Sequence, residues 1–207
     1  MNPIKISKTV KNLGVFIDSD LSFKSHVNST IKKVYTELRR IRSVRGFLSK
    51  DVSSLLMNAL VLSKLDYCNS LLANVPKSTL RPLQVAQNDA ARVVFNKTRR
   101  TSASSLLHEL HWLPIEKRIQ YKICTFVFKA LHCEAPQYVS EMLNVYIPAR
   151  NLRSKSKNVL VKPKMKRKIG ERSFQFSAPM FWNSLPCHVK ESTKTDIFKK
   201  RLKTHLF

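Results

Sequence analysis

Between Lys24 and Leu48 the apolar residues Val27, Ile31, Val34, Leu38 and Ile41 recur at alternating steps of four and three, and Leu48 follows one heptad after Ile41. That period predicts one face of a long amphipathic helix, which must lie against other apolar faces. Gly46 falls near its end. Ser49-Lys50-Asp51 then offers an N-cap for a second helix, with Val52, Leu55, Leu56, Ala59, Leu60 and Ser63 sharing the expected inward face. A third helix is expected after Val75-Pro76-Lys77-Ser78, with Leu80, Leu83, Ala86, Ala90 and Val94 inward, ending in the polar stretch Asn96 to Arg100. Three helices with short joints make antiparallel neighbours and a compact bundle.

Further along, Pro114 is well placed to open a helix running to about His132, with Ile119, Ile123, Phe126, Val127, Ala130 and Leu131 apolar. Pro136 closes it and opens a short helix through Leu143. Composition then shifts: from Arg150 to Arg172 ten basic residues face one acid, Glu171. The segment reads as a solvated basic arm with a short strand at Asn158 to Val161. Phe174, Phe176, Phe181 and Trp182 mark a small aromatic-pinned helix, and Phe198, Leu202 and Leu206 one side of a last amphipathic helix from Lys194. Before all of these, Ile4 to Ser7 and Val10 to Asp18 read as a small β-hairpin.

The chain carries 38 Lys and Arg against 13 Asp and Glu, a formal charge of +25 over 207 residues. Such self-repulsion is relieved by a polyanion, so nucleic acid is the expected partner. A membrane is not expected, because no apolar run approaches the roughly 20 residues of a spanning helix and MNPIKISKTV has no signal-peptide core. These features predict an intracellular protein, nuclear or cytoplasmic. Cys68, Cys124, Cys133 and Cys187 lack ligand spacing and read as reduced, mostly buried thiols.

Signals for catalysis are weak. Asp18 and Asp20 follow a strand, as metal-holding carboxylates do, but no third acid accompanies them, and a strand-to-helix cap explains the pair equally well. His108 and His111 are three apart, not the four of zinc peptidases, and capping beside Trp112 explains them. Three isolated glycines cannot build a phosphate loop, and no serine elbow is present. No metal or cofactor is expected.

The third predicted helix is more informative. Arg81, Gln84, Asn88 and Arg92, at steps of three, four and four, form a polar stripe suited to a phosphate backbone. Lys97, Arg99 and Arg100 extend it, and Arg39, Arg40, Arg42 and Arg45 of the first helix could supply a facing wall. A plain solvated face is the alternative for any one of these residues.

Several stretches together resemble a known family. LGVFID with LSFKSHV, SKLDYCNSLLANVP, LRPLQVAQNDAARVV, LHWLPIEKRIQYKICTFVFKAL, PARNLRS, GERSFQFSAPMFWNSLP and FKKRLKTHLF occur in the order found in the C-terminal part of reverse transcriptases of non-LTR, LINE-type retrotransposons. The chicken-repeat-1 and L2-like elements of animals are the nearest in pattern. The resemblance covers about Val10 to Phe207.

It implies that residues 1–23 are a residual palm-edge hairpin with Leu13, Gly14 and Val15 primer-grip-like, and that 24–100 form a thumb-like bundle. Residues 101–149 would then be a helical post-thumb segment and 150–207 a basic arm with C-terminal helices. It also implies that the YADD-type catalytic motif lies upstream, so this chain is expected not to be an enzyme although the parent family is an RNA-directed DNA polymerase. Such elements are copied from the 3' end of their RNA and often stop early, which implies a truncated copy or a reading frame that is never translated.

The expected fold is therefore mainly α, with a small N-terminal hairpin. The expected function is electrostatic binding of RNA, RNA-DNA hybrid or DNA, through Arg81, Gln84, Asn88, Arg92, Lys97, Arg99, Arg100, Arg39 and Arg42. The remaining polymerase portion is a further expected partner. The alternative is an inert structural remnant whose charge is inherited from a larger machine.

Overall fold

The computed structural model describes residues 7–147 and 159–207. It is mainly helical with a small two-stranded antiparallel sheet at its N-terminal end. Among the described residues no helix is long and apolar enough to cross a membrane. Two compact units are present. The first takes the residues up to Cys68 together with Val75–Ile115, and the second takes Asn69–Asn74 with Glu116–Phe207.

The first unit opens on the hairpin β1 (Thr9–Asn12) and β2 (Val15–Asp18), paired from Thr9 with Asp18 to Asn12 with Val15. The run expected as one strand from Val10 to Asp18 is thus folded on itself. Leu13 at φ 45° and Gly14 at φ 84° make a two-residue turn with both central residues left-handed, the geometry that matches strand twist. The other expected strand, Ile4 to Ser7, lies outside the described residues except for Ser7, which is not in a strand. The Leu13 carbonyl accepts the Tyr67 hydroxyl, and a Cβ at Gly14 would meet the hydroxyl end of the Tyr67 ring at 3.7 Å. Asp18 ends the hairpin as a cap: its carboxylate accepts the Ser22 hydroxyl and, at 3.0 Å, the Phe23 amide.

Helix α1 (Lys24–Val44) buries Val27, Val34, Leu38 and Ile41 as its spacing predicts. Helix α2 (Lys50–Met57) starts at Ser49, whose hydroxyl accepts the Val52 amide. The expected inward face of α2 is corrected. Val52, Leu55 and Leu60 are exposed, and Ser53, Met57, Val61 and Leu65 are buried instead. Within α2 itself Ser53 and Met57 face inward, and a π-helical turn, Asn58–Leu62, between α2 and α3 (Ser63–Asp66) shifts the register beyond it. The extra residue that its i→i+5 turn takes up keeps Met57, Val61 and Leu65 on one side, where a regular α-helix drifts by about 40° at each step of four.

Helix α4 (Lys77–Val94) packs on α1 and buries Leu83, Ala86, Ala90 and Val94. It ends in a Schellman turn: the Lys97 amide donates to the Arg92 carbonyl, the Asn96 amide to the Val93 carbonyl, and Asn96 is left-handed. Helix α5 (Ala103–Glu109) ends the same way, with His111 as the left-handed residue, so that histidine closes a helix. Because α5 packs on α4, the first unit continues past Arg100, where the bundle was expected to stop.

In the second unit, α6 (Ile115–Leu131) buries Ile119, Ile123, Val127 and Ala130, while Phe126, expected inward, is exposed and Phe128 takes its place. Phe128 stacks on Phe198 at 4.2 Å between ring centroids, and Trp182 tilts against Phe198 at 5.8 Å. Phe198 lies on α10 (Thr195–Leu206), whose Leu202 and Leu206 are buried as expected. Trp182 lies on α8 (Phe174–Asn183). Two short helices, α7 (Gln137–Ser140) and α9 (Cys187–Lys190), complete the unit.

Leu160 forms an isolated antiparallel bridge with Val145. The Asn183 amide grips Leu160 on both sides, accepting its N–H at 2.9 Å and donating to its carbonyl at 2.8 Å. Of the strand expected at Asn158 to Val161, this bridge is what the described residues contain. Arg150, Arg153, Lys155, Lys157 and Asn158 of the expected arm lie outside them. Only Cys124 of the four thiols is buried. Cys68 is half-buried and Cys133 and Cys187 are exposed; Cys133 is the left-handed residue just past α6.

Candidate nucleic-acid interface

Tyr35, near the middle of α1, donates its hydroxyl to Asp89, near the middle of α4, at 3.1 Å. Arg45, just past the end of α1, reaches the last carbonyls of α4: Nε donates to Val93 at 2.9 Å and Nη2 to Val94 at 2.6 Å, while Nη1 donates to Leu48 at 2.6 Å. These contacts place the C-terminal ends of the two helices side by side. The partial negative charge of both helix termini is concentrated there, so cations are favoured.

A groove of about 460 Å³ runs along this end, lined by Arg42, Arg45, Arg92, Asn96, Lys97 and Arg99 among others. The carboxylate closest in bonding terms is Asp89, 3% exposed, which pairs with Arg92 at 3.0 Å and Arg99 at 3.6 Å. Burial and the adjacent Asp89 carboxylate hold the Tyr35 phenol above its ordinary pKa, so it stays a donor to Asp89.

The five cations divide by their work. Arg45 is spent on carbonyls. Arg92, its side chain 17% exposed, donates Nε to the Thr101 carbonyl at 3.1 Å besides its ion pair. Arg99 keeps 79% of its side chain in solvent despite its contact with Asp89, and Arg42 and Lys97 are exposed. Arg42, Lys97 and Arg99 are therefore the groups placed to meet an anion.

The sequence-predicted residues are only partly brought together. Arg42, Arg92, Lys97 and Arg99 share the groove. Arg39 and Arg100 are exposed but do not line it. Arg81 is exposed at the other end of α4, eleven residues and about 16 Å along the axis from Arg92.

Gln84 is turned to internal use: its carbonyl accepts the Ile115 amide at 2.8 Å, and its amide donates to Gln87 at 3.0 Å and Asn88 at 2.9 Å. The four-residue stripe on α4 is thus not one solvated row. Its middle fastens the loop before α6 to α4, since Gln87 also donates to the Leu113 carbonyl at 2.9 Å. Leu13 and Gly14 form the hairpin turn and Val15 is buried at its base. Asp89, Asn96 and Thr98 were missed by sequence reasoning. The spacing of Asp89 and Arg92, one helical turn apart, was the available signal.

Comparison of the chain with family models, with curated proteins and with solved structures gives no match.

Proposed function

We infer that the chain binds nucleic acid through its phosphate backbone, with Arg42, Lys97 and Arg99 as the phosphate-facing groups. The observation that carries this reading is their convergence, Arg42 from α1 and Lys97 and Arg99 from the loop after α4, at one groove whose other cations are already fixed in place. Arg45 and Arg92 set the backbone geometry, and the exposed three are left to solvent. A surplus of +25 adds a long-range attraction for any polyanion.

The resemblance to the C-terminal part of LINE-type reverse transcriptases names the ligand class as primer-template or template RNA and the bundle as thumb-like. Polymerisation is assigned elsewhere in such a protein, to a catalytic motif absent from these 207 residues. The bonds made by Arg45, Arg92 and Gln84 favour a second reading, in which the polar residues serve the fold alone and binding is diffuse.

One experiment separates the two. A labelled RNA-DNA hybrid is titrated against the full chain at rising salt, and against Arg42→Ala/Lys97→Ala/Arg99→Ala and Lys164→Ala/Lys166→Ala/Lys168→Ala. Affinity should fall linearly on a log-log plot, with a slope of about 0.9 per phosphate contact. The groove triple variant should lose roughly tenfold or more at 0.1 M salt and reduce the slope by about two to three. Equal losses from both triple variants would favour diffuse binding, and affinity indifferent to salt would sink the reading.

A further inference from the structure

The loop that closes the groove carries the sequence Arg99-Arg100-Thr101-Ser102. Two arginines at three and two residues before a serine form a charge pattern of the kind that protein kinases with an acidic substrate groove select. Position in the fold makes the serine available. Ser102 is exposed, precedes α5, has extended backbone angles of φ −57° and ψ 131°, and its side chain makes no capping hydrogen bond. From Asn96 to Arg100 the chain is exposed and outside any helix, so it can be drawn out into a kinase cleft.

Ser43 is the informative contrast. It also follows arginines, Arg40 and Arg42, but it sits inside the last turns of α1 with its hydroxyl bonded to the Arg40 carbonyl at 2.8 Å.

We propose that Ser102 is a phosphoacceptor for an arginine-directed serine kinase, and that its phosphate closes the basic groove to nucleic acid. In the transfer the Ser102 Oγ forms a bond to the γ-phosphorus of ATP, and the bond from that phosphorus to the β,γ-bridging oxygen breaks. ADP leaves, and the hydroxyl proton passes to the kinase's general base.

The regulatory half rests on the groove reading given above. Its geometry is direct: Thr101, the neighbour of Ser102, has its carbonyl held by Arg92 of the groove, and Arg99 stands three residues away. A phosphoserine adds a charge of about −2 and acceptor oxygens that Arg99 and Arg100 can pair with. Among the described residues Arg99 contacts Asp89 at 3.6 Å with 79% of its side chain in solvent, a weak hold that a stronger anion can replace. His108 and Glu109 line the same shallow depression as Ser102, and Glu109 is engaged by Lys50 at 2.5 Å.

The test uses the full chain, an arginine-directed serine kinase with ATP, site mapping by fragmentation mass spectrometry, and anisotropy with the labelled RNA-DNA hybrid. One phosphate is expected on Ser102, none on Ser43, and none at this loop in Ser102→Ala. Phosphorylated chain should bind the hybrid about tenfold more weakly at 0.1 M salt, with a salt slope lower by about one to two. Ser102→Ala carried through the same kinase reaction should bind as the untreated chain does.

Phosphate on Ser104, Ser105 or Ser43 in preference to Ser102, or none at all, overturns the site. Phosphorylated Ser102 with unchanged affinity overturns the regulation while the groove reading stands. If the untreated chain shows no salt-dependent binding, the groove reading falls and the regulatory half with it, and the mass map alone then decides the site.

Discussion

Arg45 donates Nε to the Val93 carbonyl at 2.9 Å and so closes the end of α4 from a position just beyond α1. A second bond to Val94 and a third to Leu48 make this guanidinium the link between two helix ends and the turn that follows α1. The Val93 carbonyl, which already accepts the Asn96 amide, gains a second donor, and the Val94 and Leu48 carbonyls are paired with the same charge.

Removing that link should cost the fold, whereas removing its neighbour should not. Arg45→Ala is expected to destabilise the first unit by about 2 kcal/mol, the scale of hydrogen bonds to a charged group. Arg42→Ala, which removes an exposed cation, is expected within about 0.5 kcal/mol of the native chain. Urea denaturation followed by circular dichroism reads both; equal losses would contradict the division of labour in the groove.

Two titrations, one in the first turn of α1 and one at the end of β2 before it, act in the same direction. His26 is buried, and burial with the charge of Lys33 holds its pKa below the ordinary value. The unfolded chain therefore takes up the proton first, and the contribution of neutral His26 is present above about pH 6.5 and lost as pH falls below it. Burial tends to raise the Asp18 pKa, but the Ser22 hydroxyl and Phe23 amide outweigh it and hold the carboxyl low. Its contribution is present above about pH 4 and is lost as pH falls through the folded value. Denaturation midpoints should fall in two stages on acidification; His26→Gln should flatten the first and Asp18→Asn the second.

The thiols should react in a fixed order. Burial pushes Cys124 up to about 12, against the opposing charge of Lys190, so almost no thiolate exists at neutral pH. Maleimide counting on native protein is expected to label exposed Cys133 and Cys187 first and half-buried Cys68 more slowly. Cys124 should be labelled only on unfolding. Rapid native labelling of Cys124 would show that α6 opens locally.

Asn183→Ala should loosen the segment around Leu160, a residue only 1% exposed. Both backbone groups of Leu160 lose their partner, a cost of about 2 kcal/mol. Hydrogen exchange at the Leu160 amide should rise while that of α1 stays unchanged. Asn183→Asp keeps the acceptor but not the donor, and should recover only part of the loss.

Much of this architecture is legible in the sequence. The spacing of Val27, Val34, Leu38 and Ile41, and of Leu83, Ala86, Ala90 and Val94, marks faces the fold does bury. Periodicity failed at α2, where Ser53 and Met57 face inward rather than Val52 and Leu55, and again beyond it, because nothing in Asn58–Leu62 distinguishes a π turn from an α-helical one by residue type. It failed again at Gln84 and Arg92. A helical wheel shows that such residues are polar, but not that a loop at Ile115 or Thr101 will arrive needing a hydrogen-bond partner. All five cations of the groove were legible as charge, and Lys97 and Arg99 keep their exposure because they lie outside the helix, where charge is seldom spent on packing.

The turns carry one more consequence, for mutational tolerance. Leu13, Leu21, Phe23, Cys68, Asn74, Asn96, His111 and Cys133 all hold positive φ, a conformation costing a side-chain-bearing residue roughly 1 kcal/mol that glycine avoids. In a saturation scan glycine is ordinarily among the least welcome replacements. At exposed Leu13, Asn96, His111 and Cys133 it should rank among the best, so the scan would trace the joints of the fold as an inverted glycine signal.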